Sequence, residues 1–163
     1  MNGKIFISGL FAITVIFGAS LWYYQTRAYY YDVTDVTEIY VNGDAFTVSD
    51  YRGIDADTSP LKMRACFTVD WDYWPTEEFG AIVKPLIAPP QFDCFDAKQI
   101  ADDLASYSAT PILAAENQPY GFDVFIAVYP DGNAYMWRQI NACGDATFSG
   151  DPLPDHCPPQ PET

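Results

Sequence analysis

Residues 5–24 read IFISGLFAITVIFGASLWYY, an unbroken run without a charged side chain. At about 1.5 Å per residue this run makes a helix of roughly 30 Å, the depth of a bilayer's hydrocarbon core, so the pattern predicts a transmembrane helix. Beyond it the period of the apolar positions shortens to two. Residues 37–41 and 45–48 are β-prone runs on either side of Asn42-Gly43-Asp44, a strong hairpin signal that is expected to open the sheet. After a polar loop at 53–60 (GIDADTSP), residues 61–69 (LKMRACFTV) alternate as a strand carrying Cys66 toward the core. WDYWPTEEFG and KPLIAPPQ then read as a long irregular crossover. Asp96 stands as an N-cap before AKQIADDLASYS, in which Ile100, Leu104 and Tyr107 recur at helical spacing, which predicts the one soluble helix. A short strand at 112–115 follows, then two long strands, GFDVFIAVY and AYMWRQI, around the turn Pro130-Asp131-Gly132-Asn133. The expected fold class is α+β: an N-terminal transmembrane helix, then a small antiparallel sheet with one packed helix.

The expected organisation is a cytoplasmic tail at 1–4, the membrane helix at 5–24, a linker at 25–35, one domain at 36–157 and a proline-rich tail at 158–163. Charge orients it. Lys4 and Arg27 precede Asp32, whereas every carboxylate lies at or after it, so the distal part sets six Lys and Arg against 22 Asp and Glu. The positive-inside bias then places the N-terminus in the cytoplasm and the domain outside, in a bacterium the periplasmic face of the inner membrane. Trp22, Tyr23 and Tyr24, with residues 29–31 beyond, read as an aromatic belt at the outer interface. A cleaved signal peptide is the competing reading, because Lys4, the apolar run and Gly18-Ala19-Ser20 imitate its three regions. Ser8, Ala12, Val15 and Ala19 fall on one helix face and would let a second helix approach closely. So acidic a domain repels nucleic acids and favours basic partners.

Four cysteines, Cys66, Cys94, Cys143 and Cys157, all lie in the outward part, without CxxC spacing and with a single histidine in the chain. Two disulfides in an oxidising compartment are expected, rather than zinc or a redox motif. Of three possible pairings, Cys66–Cys94 and Cys143–Cys157 are favoured because each joins neighbouring segments. The second would tie down the tail DPLPDHCPPQPET.

Candidate chemistry is sparse. His156 sits in that tail, away from any visible nucleophile or supporting acid, and reads as a surface residue, so no catalytic residue is assigned. Asp55 and Asp57, with Asp50 nearby, are the candidate calcium ligands, although a turn in which they bond the local backbone before Pro60 explains the same residues. Trp71, Tyr73 and Trp74 are the candidate partner contacts, against the alternative that these rings pack in the core. No cofactor is expected.

The segments GIDADTSPLKMRACF, FDCFDA, YGFDVFIAVYPDGNAYMWRQINACGD and DHCPP, behind the anchor start MNGKIF, resemble a small family of uncharacterised alphaproteobacterial proteins. These are built as an N-terminal anchor plus an extracytoplasmic domain. The resemblance implies a cysteine framework and brings no activity with it. The functional expectation is a membrane-anchored binding or accessory protein of an inner-membrane complex, respiratory or photosynthetic assemblies being candidate hosts, with a basic soluble protein as a further partner. The alternatives are a carboxylate-dependent periplasmic hydrolase and a calcium- or ligand-sensing domain.

Overall fold

The computed structural model describes residues 3–70 and 83–161. Helix α1 (Gly3–Tyr23) has no buried residue. It continues through a π-helical turn at Tyr24–Ala28, and the two together are long and apolar enough to cross a membrane. The chain then enters the sheet at once. Strand β1 (Tyr31–Val33) pairs antiparallel with β4 (Ser49–Asp55), Tyr31 opposite Asp55. With β5 (Arg64–Thr68), β6 (Thr110–Ala115), β7 (Phe122–Val128) and β8 (Asn133–Ile140) they form a six-stranded antiparallel sheet ordered β1-β4-β5-β8-β7-β6.

The hairpin signal at Asn42-Gly43 holds, with both residues at positive φ (52° and 93°), as its tight turn requires. Its strands, β2 (Glu38–Val41) and β3 (Asp44–Thr47), do not open the main sheet, however. They form a separate two-stranded sheet. Ile39 and Val41 point from it onto Ala65, Phe67, Ile112, Ile126 and Val128, one face of the main sheet.

Strand alternation sends Cys66, Phe125, Ala127 and Trp137 to the other face, where α2 (Ala97–Ala105) and the segment around Phe92 and Phe95 cover them. Phe125 and Trp137 are cross-strand partners with stacked rings 6.2 Å apart, and Trp137 is fully buried. Burying such side chains contributes about 1.5–3 kcal/mol each, so this pair anchors the layer.

Helix α2 starts as its sequence dictates, Asp96 accepting from the Lys98 and Gln99 amides at 3.0 Å each. Ile100 is buried, but Tyr107 does not continue the apolar face. The helix ends a turn earlier, Tyr107 adopts φ +59° and its ring is 94% exposed.

Two further corrections concern β4 and α3. The stretch 53–60 is not all loop, since Gly53, Ile54 and Asp55 complete β4. A second soluble helix, α3 (Ala142–Ser149), follows β8, capped by Asn141 and ended at Gly150 (φ +74°). Disulfides Cys66–Cys94 and Cys143–Cys157 close loops of 28 and 14 residues' separation. They are the neighbour-joining pairs.

Candidate functional site

At one end of the sheet, β6, β7 and β8 run out into polar residues around a cavity of about 350 Å³ lined by Glu116, Asp123, Gln139, Asn141 and His156. Asn141 organises it. Its side-chain amide donates to Asp123 Oδ1 at 2.6 Å and to Asn117 Oδ1 at 2.9 Å, while its own Oδ1 caps α3 by accepting from the Gly144 amide at 3.0 Å. Asp123 Oδ1 also accepts from the Asn117 amide at 3.0 Å, and Asn117 Oδ1 from the Gly121 amide at 3.1 Å. Every member both supports and is supported, which fixes the cavity floor in one arrangement.

Two glycines let the walls meet. A Cβ on Gly144 would lie 2.2 Å from the Gly121 carbonyl oxygen, and Gly121 itself sits at φ +84°. Only hydrogen fits at 144. The Cys143–Cys157 bond then folds the tail back, so that His156 reaches the rim. The Tyr120 hydroxyl donating to the Pro158 carbonyl at 3.1 Å, and the Gln160 amide donating to Thr147 Oγ1 at 2.9 Å, hold the tail on either side.

His156 is exposed, as its tail position suggested, but it does not dangle. With Cys143 and Cys157 it forms the one group of three metal-ligand types found together among the described residues, within 4.8 Å of one another. Both sulfurs are in the disulfide and neither is a thiolate, so the trio is not a metal centre in this state. Chemically the cavity offers acceptors in the Glu116 and Asp123 carboxylates, while the side-chain oxygen of Gln139 already accepts from the Lys84 amide at 2.7 Å. No Lys or Arg lines it. A cationic or multiply donating group is what it would hold.

The calcium candidates are dispersed instead. Asp55 accepts from Arg138 Nη1 at 3.0 and 3.3 Å and from the Ala56 amide at 2.8 Å, so its charge is already neutralised by an ion pair that is mostly shielded from water. Asp57 is exposed, and Asp50 occupies a β-bulge at φ +53°. Among the described residues these three do not converge on one point. Asp131 serves the β7–β8 turn, accepting from the Asn133 amide at 3.0 Å. Trp71, Tyr73 and Trp74 lie outside the described residues.

Burial shifts two further ionisable groups, Arg64 and Tyr51. The Arg64 guanidinium, 3% exposed, is pushed down to about 10 by loss of solvent. It donates to the carbonyls of Leu61 (2.7 Å), Met63 (2.6 Å) and Leu86 (2.8 Å) and lies over the Phe95 ring. Tyr51, stacked on Phe67, is pushed up to about 12, first by burial and then by the Asp55 charge.

A family model matches residues 24–158, from the end of α1 to just past Cys157. The chain belongs to DUF6446, a family of unknown function. The DUF6446 match thus contains the whole sheet, both soluble helices and both disulfides. No curated protein and no solved structure matches the chain.

The cavity residues carried no signal in the sequence. Glu116, Asp123, Asn141 and His156 have no motif spacing, and a turn, a cap and a disulfide bring them together. Only the cap could have been found, because Asn141 precedes a short run ending in Gly150.

Proposed function

We propose that this DUF6446 chain is a single-pass protein of the bacterial inner membrane, its N-terminus in the cytoplasm and its acidic domain in the periplasm. There it serves as a binding or accessory subunit of a membrane complex. The observation that carries this reading is the pairing of a wholly unburied apolar helix with a sheet domain that begins almost where the helix stops. Such a short exit holds the domain at the surface instead of letting it range. The distal net charge of six cations against 22 anions supports a basic soluble protein as the further partner. The cavity supplies the receptor: Glu116 and Asp123, with no Lys or Arg lining the cavity, suit a lysine or arginine side chain presented by that partner.

Co-purification from mildly solubilised membranes tests the reading. A stoichiometric companion that is lost in Glu116→Gln/Asp123→Asn supports it, whereas a wild-type chain that always isolates alone sinks it. A hydrolase reading has one observation behind it, two carboxylates on one cavity, but Asp123 Oδ1 is already taken up by hydrogen bonds from Asn117 and Asn141 that hold the cavity floor.

A further inference from the structure

We propose that the loop at residues 83–91 is a second membrane contact. Leu86 and Ile87 would enter the headgroup–acyl boundary of the bilayer that holds α1, and Lys62 and Lys84 would rest on anionic headgroups. This rests on the reading of α1 as membrane-spanning.

Ile87 is 88% exposed and Leu86 is exposed beside it, yet the loop that carries them is held firmly. The Lys84 amide donates to Gln139 Oε1 at 2.7 Å, the Leu86 carbonyl accepts from the buried Arg64 at 2.8 Å, and the Phe92 amide donates to the Pro89 carbonyl at 2.9 Å. Fixed backbone on both sides means that the apolar tip is displayed, not merely unfolded.

The loop is also tied to the anchor's exit. The Gln91 amide donates to the carbonyl of Thr26, three residues beyond the end of α1. The Lys62 ammonium lies 5.1 and 5.2 Å from the ring centres of Tyr29 and Tyr30. Four residues of chain span at most about 14 Å, so Ile87 stays within that reach of Gln91, whose side chain contacts the exit. That continuity selects lipid as the occupant over a soluble protein or a second copy.

Charge agrees. Among the described residues after Asp32, Arg52, Lys98 and Arg138 are each paired with a carboxylate and Arg64 is buried. Lys62 and Lys84 remain without an ion pair, and both lie on this side of the domain. In a strongly acidic domain, unneutralised cations next to an exposed apolar pair form the composition that binds an anionic interface.

The test uses full-length protein in vesicles of phosphatidylcholine and phosphatidylglycerol, since all four native cysteines are in disulfides and one added cysteine can be labelled alone. An environment-sensitive fluorophore is placed at Ile87→Cys. Phe11→Cys within α1 and Ala105→Cys at the end of α2 serve as references, and lipid-borne nitroxide is the quencher. Positions 11 and 87 should be quenched several-fold more than 105, and in pure phosphatidylcholine or in Lys62→Gln/Lys84→Gln the signal at 87 should fall toward that at 105. Quenching at 11 without quenching at 87 overturns the proposal alone. Loss of quenching at 11 overturns the membrane reading as well. Quenching at 87 that ignores both lipid charge and the lysine changes overturns the assignment of the headgroup contacts.

Discussion

Replacing Cys143 and Cys157 together by alanine separates the tail from the body. The bond closes a loop of 14 residues' separation, for which chain entropy gives a stabilisation of about 3 kcal/mol. Without it the tail keeps two exposed side-chain hydrogen bonds, Tyr120 to Pro158 and Gln160 to Thr147, together worth about 1–3 kcal/mol. Ordering the residues between Gly150 and Cys157 costs on the order of 1–2 kcal/mol each, so entropy wins and the tail detaches. In a domain of this size 3 kcal/mol corresponds to a loss of roughly 10 °C in Tm. Thermal melts of the detergent-solubilised chain should show that drop, and limited proteolysis should open a new cleavage site between Asp151 and His156. A double variant that melts within a degree or so of the parent, with the tail still protected, would refute the reasoning.

Gly144→Ala should destabilise by at least about 1–3 kcal/mol, because its methyl group meets the Gly121 carbonyl and not a movable side chain; a chemical denaturation curve reads this directly. Asp96→Ala should cost about 1 kcal/mol through loss of the α2 cap, measurable in the same way. Tyr51 ionises later in the folded chain than in the unfolded one, so its contribution is complete below pH 10 and is lost as pH rises through about 12. Denaturation midpoints should therefore decline over that window, and less steeply in Tyr51→Phe. Asp55→Asn leaves the shielded Arg138 charge without its counter-ion and should cost about 1–3 kcal/mol, whereas a surface aspartate such as Asp57→Asn should be neutral within error.

The elements legible in the sequence were those whose signal is local. The uncharged run, the Asn42-Gly43 turn, the Asp96 cap and the paired apolar strands around Gly132 each specify themselves within one continuous stretch of chain. Strand β4 did not, because Ser49, Asp50, Arg52 and Gly53 are poor strand formers and extend only because β1 and β5 flank them. Strand β1 hid among tyrosines that read equally well as an interfacial belt. Helix α3 has no apolar period to detect, and its buried side is set by Cys143 and the Gly121 contact. The same reason explains the cavity, whose residues gain their relation only from tertiary closure.

The outermost strands carry one more consequence. Strand β1 is only three residues long, and β6, at the opposite margin, contains Pro111, while the Ala114 carbonyl already accepts from the Asn42 amide at 2.8 Å. Neither margin offers a long row of free amides and carbonyls for a neighbouring copy to zip onto. Wherever many copies of such a domain are crowded side by side, that bluntness is a safeguard against fibre-like self-association.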